Sequence, residues 1–231
     1  DEKLLFDELK QYRKPLEIKY NIVVDKFGLN LVANMMKNKG VIGTPDIPLL
    51  SVGSGDGVTT RAICEKMKVS LDNVVCIDPA PYSYQSPERA KKMGGIEPRY
   101  QCVPYYILEN RTKIGHVNLL LDWPSSGNLS GRYDFYAIMD LVPEKICILF
   151  DTLGGAGSDW LLSWLSRISG IKCVVGEEAP EEMVRKIPRY EVIGNMTKGI
   201  SQREFYNEVP EHLKHYLEGG LMLTCLILER K

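Results

Sequence analysis

The apolar positions fall into two regimes along the chain. From residue 1 to about residue 47 the spacing is helical, with Leu4, Leu5, Leu9 and Tyr12 on one stripe and Leu29, Val32, Ala33 and Met36 on another. Pro15 separates the two stripes. Beyond Pro48 short, continuous apolar runs alternate with helix-compatible segments. Strands are expected at residues 49–52, 73–78, 99–103, 117–122 and 145–151, with a short one at 172–175, and two more at 190–194 and 221–228. Helices are expected at 59–67, 88–93, 131–141, 160–168 and 177–185. Strands that are apolar at nearly every position suit a parallel sheet covered on both faces, so the expected class is α/β.

The clearest punctuation is Gly53-Ser54-Gly55-Asp56-Gly57, directly after the first strand and directly before the first crossover helix. Glycine has no Cβ, so such a loop can take positive φ and let a ligand approach the backbone, while the amides opening the helix offer donors. Some twenty residues further on, the second strand ends in Asp78, where a ribose diol is expected to lie. Two cofactor classes use this unit. A dinucleotide fingerprint needs Gly or Ala at its sixth position, and Val58 stands there, which demotes a nicotinamide-dependent oxidoreductase. Similar glycine-rich turns also occur in unrelated α/β folds.

With glycines at alternate positions and Asp78 behind them, the segment resembles motif I of the class I S-adenosylmethionine-dependent methyltransferases. The resemblance runs from about Pro48 to the end of the chain and implies two parts. These are an N-terminal helical extension over residues 1–47 and a methyltransferase-like domain over 48–231. It implies a seven-stranded, mostly parallel Rossmann-like sheet with helices on both faces, the final apolar run lying antiparallel between its two neighbours. Gly53, Ser54, Gly55, Gly57, Asp78, Gln101 and Asp122 are the implied cofactor-binding positions, and Asp122 the implied catalytic residue, orienting a substrate or acting as base. The N-terminal helices would pack on the sheet, with a lid over the cofactor cleft as an added role.

The chain departs from that family at several positions. Ser51 stands where an acid is common before the first glycine, and Gln101-Cys102-Val103-Pro104 carries no acid for the adenine amine. Asp122-Trp123-Pro124-Ser125 is similar to the Asp-Pro-Pro-aromatic motif of amino methyltransferases, but in a different order. Asp122 and Asp151 resemble the strand-end acids that hold a divalent cation in catechol-type O-methyltransferases. Thr152 replaces the usual asparagine there and Ser125 the usual lysine, so the acids leave room for such a cation and none is expected. A ribose 2′-O-methyltransferase tetrad needs a lysine in the fifth strand, where this chain has Asp151.

Composition narrows the picture further. The 231 residues are 44% hydrophobic and 26% charged, with a formal net charge of -1, so nothing draws the chain as a whole to nucleic acid. Six cysteines form no C-x-x-C pair, and Cys76, Cys102, Cys147 and Cys225 fall in expected strands, as reduced core thiols of an intracellular, cytoplasmic protein. His212 and His215, one helical turn apart, suit a solvated helix face better than a metal site. Asp1-Glu2-Lys3-Leu4 does not open a signal peptide, and no apolar stretch reaches the ~20 residues that span a bilayer.

Tyr82 and Tyr84 lie in a proline-rich loop beyond Asp78, and Gly154-Gly155 in a second glycine loop. Either loop would lie at the same sheet edge. The expected activity is methyl transfer to an acceptor that no motif names. The alternative is a catalytically degenerate fold that binds a partner protein as a scaffold subunit.

Overall fold

The computed structural model describes residues 26–81, 86–124, 131–152, 156–200 and 221–231. The first helical stripe, Tyr82, Tyr84, Ser125, Gly154, Gly155, His212 and His215 lie outside these residues. Strands β1 (Leu49–Val52), β2 (Val74–Ile77), β3 (Asn118–Asp122), β4 (Lys145–Phe150), β5 (Tyr190–Ile200) and β6 (Leu221–Arg230) form one sheet in the order β2-β1-β3-β4-β6-β5. The first four pair in parallel, and β6 is antiparallel to both β4 and β5. The last apolar run therefore takes the central, reversed place expected of it.

The seven-stranded expectation is corrected to six. At residues 99–103 only Tyr100 bridges, in parallel, to Ile77. Two backbone bonds survive there, from the Arg99 amide to the Cys76 carbonyl (2.9 Å) and from the Asp78 amide to the Tyr100 carbonyl (3.1 Å). The reason lies in the next residues, where the chain bends and starts helix Val103–Glu109. Pro104 in its first turn has no amide with which to extend a ladder. Cys102 is consequently no strand residue but the half-buried N-cap of that helix.

Residues 172–175 also form no strand. Val174 is 60% exposed and makes one ladder-like bond, from its amide to the Thr152 carbonyl (2.7 Å). Strand β5 runs longer than expected because a bulge between Val192 and Gly194 lets pairing resume beyond the glycine. The expected helix at 177–185 is reduced to a single turn, Glu181–Val184, after Pro180.

Two apolar clusters sandwich the sheet. Helices α1 (Lys26–Lys39) and α2 (Val58–Met67) cover one face, burying Val32, Ala33, Met36, Ile63 and Met67 against Leu49, Leu120 and Leu149. On the other face lie α4 (Val103–Glu109), α5 (Tyr133–Leu141) and α6 (Asp159–Ser169), with the short α3 (Pro87–Lys92) in the β2-to-Tyr100 connection. Phe135, Ile138, Leu161 and Trp164 meet Leu119, Leu121 and Ile148 there. Truncating one of these buried side chains to Ala costs roughly 2–5 kcal/mol. Ser158 caps α6, its hydroxyl accepting from the Leu161 amide (3.3 Å).

Polar anchors fix the ends of the strands opposite the glycine loop. Asn118 donates to the Ile42 carbonyl (2.9 Å) and accepts from the Lys145 amide (3.1 Å). Arg230 donates to the carbonyls of Val142 (2.7 Å) and Gly115 (3.0 Å). No helix among the described residues is long and apolar enough to cross a membrane.

Val142 ends α5 with φ 50°, a left-handed cap that a β-branched residue adopts only under strain. Val142→Gly is expected to stabilise the fold by about 1 kcal/mol, raising Tm by roughly 2–4 °C in a thermal melt.

Candidate functional site

The glycine loop leaves β1 at the point where successive strands depart to opposite sides, β2 on one flank and β3 on the other. Such a switch point opens a crevice beyond the strand ends. Gly53, Gly55 and Gly57 have φ of 71°, 55° and 72°. At Gly57, the N-cap of α2, a Cβ would come within 2.7 Å of the Ile96 amide nitrogen, so both space and φ demand glycine. At Gly55 a Cβ would meet nothing within 4 Å, because that face opens into a cavity.

Asp78 ties the loop to the neighbouring strand. Its Oδ2 accepts from the Gly55 amide (2.9 Å) and its Oδ1 from the Ala80 amide (2.7 Å). Each carboxylate oxygen retains acceptor capacity after one such bond.

The cavity holds about 570 Å³. One wall is Val52, Gly53, Gly55, Ile77 and Asp78 with Pro79. A second is Gln101, Cys102, Val103 and Pro104, and a third is Trp123 with Tyr133, Tyr136, Ala137 and Asp140 of α5. Tyr133 packs so closely over Gly53 that any side chain at 53 would collide with its ring. Behind this wall the buried Asp134 carboxylate accepts from the Ser158 amide (2.7 Å) and hydroxyl (2.6 Å), locking α5 to the start of α6. Burial pushes the Asp134 acid up, offset by those bonds.

Of the positions singled out in the sequence, Gly53, Gly55, Asp78 and Gln101 come together around the cavity, Gln101 as an exposed residue. Ser54, Gly57 and Asp122 do not line it. Asp122 is half-buried at the tip of β3, where burial, and next the negative charge of Asp56, push its acid up to about 7, offset in part by the Thr59 hydroxyl. Ser51 turns to the α2 side, its hydroxyl 2.8 Å from that of Thr60.

Trp123, Cys102, Tyr133, Tyr136 and Asp140 were not marked as site residues by sequence reasoning. The tyrosines sit at helical positions that suit core packing equally well, and the i, i+3, i+7 spacing of 133, 136 and 140 is the signal that places them on one face. Asp151 and Thr152 are both buried, and Asp151 bridges to Ala156. Among the described residues no group of three or more His, Cys, Asp or Glu could hold a metal ion.

No family model and no curated protein sequence matches the chain. Among solved structures, a geranyl diphosphate methyltransferase in complex with SAM is 13% identical with a TM-score of 0.47, over 88% of this chain and 84% of that one. The 23S rRNA methyltransferase ErmE is 13% identical with a TM-score of 0.38, over 91% and 70%. The cyclopropane synthase MmaA2 from Mycobacterium tuberculosis is 15% identical with a TM-score of 0.37, over 88% and 83%. Likenesses this remote carry no chemistry to this chain. The strand order gives a Rossmann-like α/β sheet in which the segment beyond β2 is reduced to a single bridge at Tyr100.

The raised acid of Asp122 has a thermodynamic sign. Its proton is held more tightly in the folded than in the unfolded chain, so the contribution of this group to stability is greatest at low pH and falls as pH rises from about 4 to about 7. Removing that penalty in Asp122→Asn should stabilise the protein at pH 8 by roughly 2–4 kcal/mol and leave it little changed at pH 4. Thermal melts of both proteins across that range check this.

Proposed function

We propose that the chain is an S-adenosylmethionine-dependent methyltransferase. The observation that carries the reading is the cavity at the switch point, bounded by a glycine loop open at Gly55 and by Asp78 at the tip of β2. The residues present fit the cofactor. Gly53, Ser54, Gly55 and Gly57 shape the loop, Gly55 leaves room for close approach, and Asp78 keeps acceptor capacity for a ribose diol. Gln101 stands at the rim, and Trp123, Tyr133 and Tyr136 supply flat apolar surface that excludes water.

When bound, the cofactor supplies a methyl group already activated for in-line transfer. What the chain adds is positioning. The clamp from Asp78 to Gly55 fixes the loop against β2, and Tyr133 covers Gly53 from the α5 side. Asp122, at the tip of β3, would orient a substrate or act as base only from outside the cavity lining, its carboxyl bonded to the Thr59 hydroxyl and facing the charge of Asp56. One observation favours a second reading, a catalytically degenerate scaffold subunit: the acid at the tip of β3 does not line the cavity.

Calorimetric titration with S-adenosylmethionine and S-adenosylhomocysteine tests the reading. Micromolar binding is expected, weakened at least about tenfold in Asp78→Ala and in Gly55→Asn. Asn tolerates the left-handed φ of residue 55 and projects into the open space of the cavity. Absence of binding to either ligand overturns the cofactor site, and binding without any methylated product across acceptor screens supports the scaffold.

A further inference from the structure

The α5 wall of the cavity carries one carboxylate, Asp140, to which the cofactor reading gives no role. Asp140 lies one turn beyond Tyr136 and two turns beyond Tyr133, on the face of α5 that lines the cavity. It is half-buried and makes no hydrogen bond or ion pair with any described residue. Asp78 differs, since two backbone amides already engage it. Among the described residues, two carboxylates line the cavity and no Lys, Arg or His does, so the field they set inside it is negative. The aromatic side chains of Trp123, Tyr133 and Tyr136 line the same cavity and offer π systems that a cation can meet.

Such a lining repels an anionic guest and attracts a cationic one. Burial alone pushes the Asp140 acid up, the mark of a carboxylate that has lost water without gaining a donor. An ammonium group supplies what is missing: N–H donors for the carboxylate and a positive charge for the aromatic faces.

We propose that this wall is a binding site for an organic amine, held as its ammonium on Asp140 with its apolar body against Tyr136, Ala137 and Val103. The amine's role as methyl acceptor rests on the methyltransferase reading; its binding does not. The same reading makes carboxylate and phosphate acceptors poor fits to this cavity.

The test is calorimetric titration of the whole chain and of Asp140→Asn with 2-phenylethylamine, neutral 2-phenylethanol and anionic 3-phenylpropanoate. Both proteins are also titrated with S-adenosylhomocysteine and melted to establish that the variant folds. The expected result is binding of the amine at least about tenfold tighter than of the alcohol or the acid, with that preference lost in Asp140→Asn and S-adenosylhomocysteine binding unchanged. No amine binding, equal binding of amine and alcohol, or an unchanged preference in Asp140→Asn overturns the proposal. A variant that loses S-adenosylhomocysteine also overturns it, because Asp140 would then serve the cofactor's own adenine amine. If the whole chain binds the amine through Asp140 but not S-adenosylhomocysteine, the amine site stands and the methyltransferase reading falls.

Discussion

The geometry of the site depends on one carboxylate gripping two backbone amides. Asp78 holds the Gly55 amide with one oxygen and the Ala80 amide with the other, so the loop after β1 and the turn after β2 share a single anchor. A charged acceptor makes stronger hydrogen bonds than a neutral one, and this one replaces the water that the amides at a strand-to-helix turn would otherwise need. The open face of Gly55 and the floor of the cavity both follow from where that anchor sits.

The opposite wall has its own buried carboxylate. Asp134 is 1% exposed and accepts from the Phe135 amide and from the amide and hydroxyl of Ser158, whose hydroxyl also caps α6. Removing the carboxylate would strand a buried amide and hydroxyl, a loss of a few kcal/mol. Asp134 therefore sets the position of α5, and with it the face carrying Tyr133, Tyr136 and Asp140. Three aspartates in this region do three different things according to their surroundings: clamp a loop, lock two helices, or stand half-buried with no partner among the described residues.

The sheet was legible because its strands announce themselves. Leu49–Val52, Asn118–Asp122 and Lys145–Phe150 are short apolar runs with few competing readings, and their glycine and aspartate ends fall where the strands stop. The third expected strand failed for a local reason: Pro104 belongs to a helix start, and a run as short as 99–103 contains both the end of one element and the cap of the next. The glycine loop was legible as a turn, since Gly53, Gly55 and Gly57 all take the positive φ that their spacing suggests. The α5 wall was not. Nothing in the spacing of Tyr133, Tyr136 and Asp140 says whether a helical face meets the core or an open cavity, because both demand the same period. Asp122 illustrates the converse, as a strand-tip acid whose side of the sheet the tip alone does not reveal.

The reduction of one strand to Tyr100 ties two liabilities together. β2 is the outer strand of the parallel half of the sheet, and an outer strand exposes backbone groups on which another chain can template itself. Two hydrogen bonds from the segment around Tyr100 guard that edge, and the same segment runs straight on into the cavity wall at Gln101 and Cys102. A guest that stiffens this stretch of backbone also keeps the guard in place. Resistance to self-association and occupancy of the cavity are thus linked through one short piece of chain.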